Sequence, residues 1–335
     1  MHRTQLVLKP LLPLLLAAAL TACGGSSGTT TTPGTGEAQA TPPAAASADS
    51  KKPSTRIVKT DKGDIEIPAN PKKVVAPYYH GTLLALGIQP IAANKEWWMG
   101  SPFLAEQEKT IQDIGAPTSL EKVTSLEPDL IVINDFDVKT YDQLSKIAPT
   151  LHVPYTAYHN PKEEVKLFGE LLDRGKEAEQ WLKQYEEKAA AGRAKIKSFV
   201  GADETAVIVN VRGKKVSILG DNYGRGGFPI YDALKLKAPD IVKKEVIDSG
   251  AQIKEISLEL LPQYASADHI FICFNAGSTE EDINNVLNNS VWNSLPAVKN
   301  NKVHKLDYNT FLHYDPISIT GQIDLIATML AEKKS

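Results

Sequence analysis

The feature that most constrains the fold is a regular alternation of short apolar runs with helical patterns, which begins at Arg56. In the first half, the apolar runs are "KVVAP", "PIAAN", "DLIVIN" and "LHVP", and the helical patterns between them are "HGTLLALG", "SLEKVTSL" and "KTYDQLSKI". A second set of strand-like runs begins at Thr205 and comprises "TAVIVNV", "KVSIL", "HIFICF" and "KVHKLD". This alternation predicts α/β units around largely parallel sheets, repeated in two lobes.

One long helical pattern, residues 176–199, separates the two sets. Its apolar side chains recur at helical spacing; they are Ala178, Trp181, Leu182, Tyr185, Ala189, Ile196 and Phe199. A helix of this length would extend about 36 Å, enough to reach across two lobes. We therefore predict two Rossmann-like α/β lobes, residues 56–172 and 200–335, joined by one long interdomain helix within 173–199, with a ligand cleft between the lobes. A helix packed wholly inside the second lobe is the alternative.

The amino-terminal segment predicts export and tethering. Residues 1–22 contain Arg3 and Lys9, then an apolar run and small residues, the pattern of a secretory signal peptide. The sequence "LTACG" resembles the bacterial lipobox, which implies that Cys23 becomes the lipidated first residue, carrying palmitate or a similar chain. Residues 23–55 are otherwise mostly Gly, Ser, Thr, Ala and Pro, which predicts a flexible linker. Ordinary signal cleavage with an incidental cysteine is the alternative.

Charge and motifs argue against several classes of protein. The formal net charge is −3 and no basic stripe is present, so nucleic acid is not an expected partner. The sequence lacks nucleophile-elbow, zinc-protease, Cys-x-x-Cys and P-loop motifs, so we expect no enzyme and no cofactor. The histidines are scattered, so no protein-built metal site is expected. We expect Cys273 to be a buried strand residue.

Two stretches repeat one another weakly, and each has a glutamate near its start. "SLEKVTSLEPDLIVIN" (119–134) and "SLELLPQYASADHIFICFN" (257–275) share Ser-Leu-Glu, a short helical pattern, an aspartate, an apolar strand and a terminal asparagine. Ser119 and Ser257 are the predicted helix N-caps. This places Glu121 and Glu259 in a first helical turn, where the helix dipole favours a carboxylate.

In this order, the features resemble the siderophore-type (class III) substrate-binding lipoproteins of ABC importers, the family that binds iron hydroxamates or catecholates. Besides the lipobox, linker, repeat and long helix, the residues that carry the resemblance are "LLALGIQPIAA", "NYGRGG" and "YDPIS". The resemblance implies a ferric siderophore between two lobes, with iron held by the siderophore. It also implies a monomer anchored on the extracytoplasmic face of a Gram-positive cell, whose Glu121 and Glu259 dock onto a two-subunit permease with its ATPase.

The stretch "GDNYGRGGF", residues 220–228, is predicted to form the lip of the ligand pocket. A phosphate loop is disfavoured because the Lys-Ser/Thr of a P-loop is missing and the stretch lies in the second half of the chain. We expect its glycines to bring the backbone close to a ligand, Tyr223 to offer a ring face and Arg225 a planar cation. A turn in which Arg225 pairs with an acid is the alternative.

Further ligand contacts are expected at strand ends, where open α/β sheets bind ligands. They are Tyr78, Tyr79, His80, Trp97, Trp98, Arg212, Phe274, Asn275, Tyr308 and Tyr314. Because adjacent residues of a strand face opposite sides, one of the two tryptophans is expected in the core. Few cations and many rings favour a near-neutral ferric hydroxamate over a triply charged ferric catecholate, although Lys95, Lys214 or Lys215 would favour a catecholate. Cobalamin, haem, a lipid-tethered hydrolase and a structural lipoprotein remain alternatives.

Overall fold

The computed structural model describes residues 54–332. The predicted signal peptide at 1–22, the lipidation site Cys23 and nearly all of the linker at 23–55 lie outside these residues. No helix within the described range combines the length and the apolar character needed to cross a membrane.

The first lobe contains a five-stranded parallel sheet and a separate antiparallel hairpin. Its strands are β1 (Thr55–Thr60), β2 (Gly63–Pro68), β3 (Val74–Val75), β4 (Ala92–Ala93), β5 (Gln112–Asp113), β6 (Leu130–Ile133) and β7 (Thr150–His152). Its helices are α1 (His80–Ala85), α2 (Lys95–Trp98), α3 (Ala105–Glu108), α4 (Leu120–Leu126), α5 (Tyr141–Leu144) and α6 (Pro161–Leu171), with 3-10 turns at Val138–Thr140 and Tyr155–Ala157. The hairpin pairs β1 with β2, and the sheet order is β5-β4-β3-β6-β7, a doubly wound arrangement.

Helix α7 (Gly175–Ile196) follows and leads into the second lobe. The strands of that lobe are β8 (Ala206–Arg212), β9 (Lys215–Leu219), β10 (Ile253–Ile256), β11 (His269–Phe274) and β12 (Val303–Leu306). Its helices are α8 (Asp240–Val242), α9 (Leu261–Tyr264), α10 (Glu280–Leu287), α11 (Ser290–Asn293), α12 (Pro296–Lys299), α13 (Tyr308–Phe311) and α14 (Pro316–Ala331), with π-helical turns at Pro229–Ala233 and Lys243–Ile247 and a 3-10 turn at Leu258–Leu260. The fold is thus α/β with two lobes linked by a long helix.

The second sheet is less parallel than the sequence predicts. Its order is β10-β9-β8-β11-β12, and β9 runs antiparallel to both of its neighbours while β8, β11 and β12 pair in parallel. Strand β9 is antiparallel to β8 because a tight turn through Gly213, whose φ is +57°, joins the two strands. A connection this short can only make a hairpin, whereas parallel neighbours need a long crossover.

The internal repeat is visible in the sheets. Strands β6 and β11 occupy the same position, each beside and parallel to the first strand of its own sheet. The predicted N-cap Ser119 is confirmed, since its hydroxyl accepts a hydrogen bond from the Lys122 amide at 3.3 Å. Ser257 occupies the predicted N-cap position, but of a 3-10 turn, and its side chain caps no backbone amide in the described residues. Its hydroxyl instead hydrogen-bonds Glu259, which lowers the pKa of that carboxyl.

Helix α7 contacts both lobes, so the alternative of a helix wholly inside the second lobe is wrong. Towards the first lobe, Ala178 packs so closely on Gly169 of α6 that a Cβ at 169 would lie 2.8 Å from the Ala178 Cβ. Towards the second, the Trp181 indole donates to the Pro316 carbonyl at 3.2 Å, and the Tyr185 hydroxyl donates to Asp232 at 2.9 Å. The helix ends at Ile196, leaving Phe199 43% exposed.

Helix α14 packs where the two lobes meet and contacts both of them. The carboxylate of Asp315 accepts from the amides of Ile317 and Ser318 and so caps the helix. Helix α14 packs along α7 and also against α1 of the first lobe. Gly81 of α1 leaves room for Asp315, because a Cβ at 81 would lie 2.5 Å from the Asp315 Cβ. A buried hydrogen bond of 2.6 Å between the hydroxyls of Ser101 and Ser318 adds a second link.

Candidate functional site

An aromatic cluster covers the carboxyl ends of neighbouring strands in the first sheet. Its members, which we call the aromatic face, are Tyr78, Trp97, Trp98, Phe136 and Tyr155. The Tyr78 ring centroid lies 4.9 Å from that of Trp98 and 5.5 Å from that of Tyr155, and the Phe136 centroid lies 5.1 Å from that of Trp98. Trp97 is 44% exposed and Phe136 is 56% exposed. Large rings clustered at a surface mark a binding site.

The two tryptophans lie on the short helix α2 rather than on a strand. The side chain of Asn94 caps this helix and accepts from the Trp97 amide at 3.0 Å. Both rings therefore join the aromatic face, and the expectation that one of them belongs to the core is wrong, since neither is buried. Trp98 is the half-buried partner and packs against Tyr78 and Phe136.

Two of the predicted ligand contacts, Tyr79 and His80, belong instead to the buried support of this face. Tyr79 is 1% exposed, and its hydroxyl donates to the Val153 carbonyl at 2.7 Å. His80 is 3% exposed, with its Nε2 3.0 Å from a carboxylate oxygen of Glu108. Because the chain turns into α1 after Tyr78, the side chains of Tyr79 and His80 point inward, and the prediction that they contact a ligand is corrected.

The second candidate surface, which we call the arginine face, consists of Tyr223, Arg225, Tyr308 and Tyr314. The guanidinium carbon of Arg225 lies 5.1 Å from the Tyr223 ring centroid and 5.3 Å from that of Tyr308, so the cation rests between two rings. Arg225 is 7% exposed. Within residues 54–332 it forms no ion pair, and its buried Nε has no hydrogen-bond partner. The alternative of a turn with Arg225 paired to an acid is therefore not what the structure contains.

The backbone around Arg225 is unusual. Three consecutive residues, Gly224, Arg225 and Gly226, have φ values of +79°, +50° and +76°. The Arg225 amide donates to the Phe311 carbonyl at 2.6 Å, and a Cβ at Gly224 would lie 2.5 Å from the Leu312 carbonyl oxygen. We expected the glycines to bring the backbone close to a ligand. They instead bring it close to the chain's own segment at the end of α13. The glycines hold the arginine in place.

The remaining predicted contacts divide between the arginine face, its rim and the core. The Tyr314 hydroxyl donates to the Asp221 carbonyl at 3.3 Å, beside the Tyr223 segment. Arg212 is exposed at the tip of the β8–β9 hairpin. Phe274 is 8% exposed and packs in the second lobe's core, and its role as a ligand contact stays a prediction. Asn275 is partly buried, and its side-chain oxygen has no partner in the described part of the chain.

The two faces adjoin along residues 313–315. The His313 ring hydrogen-bonds the backbone of Trp98, and burial lowers the pKa of this histidine. The negative charge of Asp315 acts on Tyr78, whose pKa is raised chiefly by burial. A segment that carries Tyr314 on one side and contacts the base of the aromatic face on the other brings the two surfaces together at the lobe boundary.

A buried carboxyl group, Glu164 of α6, lies behind this boundary. Glu164 is 4% exposed and accepts a hydrogen bond from the Thr82 hydroxyl. Burial, helped by the nearby charge of Asp315, raises its pKa to about 7 against the opposing hydrogen bonds from Thr82 and Tyr158. Among residues 54–332, no group of three histidine, cysteine, aspartate or glutamate side chains is placed to hold a metal ion.

Sequence reasoning missed Phe136 and Tyr155, although the signal was available. Each lies three residues after the end of an apolar strand, Phe136 after β6 and Tyr155 after β7. The rule that open α/β sheets bind ligands at the carboxyl ends of their strands applies to these two strands as much as to β3 and β4.

The match to a family model covers both five-stranded sheets, the aromatic face and all of the arginine face except Tyr314. The model of the periplasmic binding protein family matches residues 74–310, from β3 into α13. The chain belongs to the periplasmic binding protein family. Members of this family are extracytoplasmic substrate-binding proteins.

Two curated relatives of this family come from Bacillus subtilis strain 168. The chain is 36% identical over 291 residues to the iron(3+)-hydroxamate-binding protein YxeB, covering 86% of this chain and 89% of the relative. It is 36% identical over 323 residues to the iron(3+)-hydroxamate-binding protein FhuD, covering 95% and 96%. Among solved periplasmic binding proteins, a FhuD fold-family component of a ferrichrome ABC transporter from the same species matches with a TM-score of 0.72 and 35% identity, covering 82% of this chain and 100% of that one.

Proposed function

We propose that this chain binds a ferric siderophore, a ferric hydroxamate in preference to a catecholate, between the aromatic face and the arginine face, and delivers it to an ABC permease. The observation that carries the proposal is Arg225, a buried guanidinium between two tyrosine rings without a carboxylate partner in the described residues.

The burial of the Arg225 charge destabilises the folded protein unless a ligand compensates for it. Burying a charge without a counter-ion opposes folding, and a left-handed backbone at a residue other than glycine adds strain of about 1 kcal/mol or more. Such strain concentrates at binding sites. A planar guanidinium donates several hydrogen bonds in one plane, which suits the electron-rich oxygens around chelated iron.

The charges around the site favour a ligand close to neutral. Lys215, one of the cations that would favour a catecholate, is paired with Glu255 at 3.0 Å. The positive charge of Lys214 is close enough to Asp282 to help lower the pKa of that carboxyl. The aromatic face contains no cation among its five members, although Lys95 is exposed on α2 beside its two tryptophans. Ferric trihydroxamates are near neutral, whereas a ferric tris-catecholate carries about three negative charges and needs several cations. The names of the two curated relatives support the same ligand class.

Delivery and anchoring complete the proposal. The lipobox-like sequence supports attachment of the chain through Cys23 to the outer face of a Gram-positive membrane, where it acts as a monomer. Glu121 and Glu259 are exposed at matching places, before β6 and β11, and each is available to a basic pocket on one permease subunit. No observation favours cobalamin, haem or hydrolysis.

Tryptophan fluorescence tests the binding proposal. The chain has four tryptophans; Trp97 and Trp98 lie in the aromatic face, while Trp181 and Trp292 are buried. Titration with ferrioxamine B, a ferric trihydroxamate, should quench the emission and saturate at one equivalent, with weaker effects from a ferric tris-catecholate, cobalamin or haem.

A variant with Trp97→Phe and Trp98→Phe is the matched control, because it keeps the two buried tryptophans and should lose most of the saturable quenching. If no ferric chelate quenches the wild-type protein, the proposed function is wrong.

A further inference from the structure

Two buried asparagines lie directly behind the aromatic face, each at the first position after a strand. Asn94 follows β4 and is 2% exposed, and Asn134 follows β6 and is 0% exposed. The side-chain oxygen of Asn94 accepts from the Trp97 amide at 3.0 Å, and that of Asn134 accepts from the Phe136 amide at 3.0 Å. Each asparagine thus fixes the backbone that carries one of the two most exposed rings of the face.

Asn134 makes a further connection that Asn94 lacks in the described hydrogen bonds. Its amide nitrogen donates to the Tyr155 hydroxyl at 2.6 Å, and Tyr155 in turn hydrogen-bonds Tyr78. The Tyr155 backbone amide donates to the Asp135 carboxylate at 2.8 Å. A single buried amide therefore ties Phe136 to Tyr155 and, through Tyr155, to Tyr78.

The arrangement suits the two ends of an asparagine side chain. It requires an acceptor for a backbone amide and a donor for a hydroxyl on one short, uncharged group, and the asparagine amide supplies both. With both bonds made, burial of the amide costs little, but losing one partner leaves a polar group unsatisfied. Rings held in place before binding lose less freedom when a ligand arrives, which strengthens binding without any new contact.

We propose that Asn134 is a positioning residue of the ligand site, with Asn94 in the parallel role two strands away across β3. Asn134 touches no ligand; it acts by holding Phe136, Tyr155 and Tyr78 in the geometry of the aromatic face. This inference rests on the proposed function, because it takes the aromatic face as a ligand-binding surface.

The test compares wild type, Asn134→Ala, Tyr155→Phe and the double variant, with ferrioxamine B as the probe. Asn134→Ala should weaken binding about tenfold. Tyr155→Phe keeps the ring but removes the hydroxyl that Asn134 binds, so the double variant should bind more tightly than the product of the two single losses would give. Near-ultraviolet circular dichroism should change in Asn134→Ala without ligand, because Trp98 packs on both Phe136 and Tyr78.

Thr150→Val is the matched control. Thr150 lies in the same sheet, is 1% exposed, and its hydroxyl donates to the Ala148 carbonyl at 2.9 Å, but at the opposite end of β7. This variant should lose stability while keeping the affinity and the near-ultraviolet spectrum of the wild type.

Wild-type affinity in a folded Asn134→Ala variant overturns the inference, and so do losses that simply multiply in the double variant. If Asn134→Ala does not fold, unchanged affinity in Tyr155→Phe overturns it. Failure of the wild-type protein to bind any ferric trihydroxamate overturns the proposed function, and the positioning role falls with it; failure of the positioning role alone leaves wild-type binding intact.

Discussion

The aromatic face and the arginine face lie at comparable places in two lobes that repeat one architecture, yet they are built differently. The aromatic face presents rings on short turns after parallel strands. The arginine face depends on a loop after β9, the strand that runs antiparallel because of the hairpin at Gly213. The repeat therefore provides two similar scaffolds, and the cation comes from the place where the second sheet departs from the first.

The asparagines at the two repeat ends show the same contrast. Asn134 uses both ends of its amide to hold the aromatic face. Asn275, its counterpart after β11, has a buried side-chain oxygen without a partner in the described residues, and the Nε of Arg225 is likewise buried without a partner among them. The first face is internally satisfied before ligand binding, whereas the second retains polar atoms that a ligand or water can satisfy.

Arg225→Ala should have the largest effect on ligand binding. Removing the buried cation should weaken ferrioxamine B binding about 100-fold, because no other buried cation stands beside Tyr223 and Tyr308 in residues 54–332. The free energy of unfolding should hold or rise, since an unpaired buried charge is lost. Titration calorimetry and chemical denaturation measure the two effects. Arg212→Ala, at the exposed hairpin tip, is the control and should cost far less; an Arg225→Ala variant that binds like wild type returns the loop to a structural role.

Glu164→Gln should produce the next largest effect, on stability. The pKa of Glu164 is raised from 4.5 to about 7, so the folded protein holds this proton more tightly than the unfolded chain. The contribution of the Glu164 proton to the unfolding free energy of the wild type is fully present below pH 4.5 and is lost as the pH rises through 7. The difference in unfolding free energy, Gln variant minus wild type, should therefore increase between pH 4.5 and 8 by roughly 3 kcal/mol.

Urea denaturation at several pH values measures this difference, and subtracting wild type removes the titration of other groups. A difference that stays constant with pH would show that Glu164 titrates normally despite its burial behind the aromatic face.

Glu121→Lys and Glu259→Lys should have the smallest effect on ligand binding and a large one on delivery. Both carboxylates are exposed, so affinity for ferrioxamine B should stay within about twofold of wild type. Iron uptake by cells should fall in each variant, because a lysine repels a basic permease pocket. Glu179→Lys, an exposed reversal on α7, is the control. Normal uptake with normal affinity in both variants would remove the docking role, and unequal losses would show which lobe contributes more.

Sequence patterns predicted the scaffold better than the orientation of individual side chains. The helical spacing of Trp181, Tyr185 and Ala189 correctly identified the buried side of α7, because burial of a helix follows its period. Cys273 is buried in β11 as expected. By contrast, strand-end reasoning placed Tyr78, Tyr79 and His80 together, while the start of α1 separates the first from the other two.

Other errors came from backbone geometry that no residue pattern encodes. The left-handed conformation of Arg225 depends on contacts with residues 311 and 312, almost 90 positions away in the chain. The role of Ser257 changed because a 3-10 turn replaced the expected helix start. Local sequence carries little information about either, since both depend on tertiary packing.

The position of helix α14 in the chain affects the order in which the protein folds during synthesis. Both sheets are complete by Leu306, and the helix that packs on both α1 and α7 is synthesised after them. Domains fold largely in order as a chain emerges, so the two lobes can take shape before anything fixes the angle between them. A chain that ends before Pro316 would keep both sheets and lose the carbonyl bound by Trp181 and the hydroxyl bound by Ser101. The sixteen-residue helix α14 would therefore fix how the two lobes meet, and a chain without it would form both sheets without holding the two faces together for one ligand.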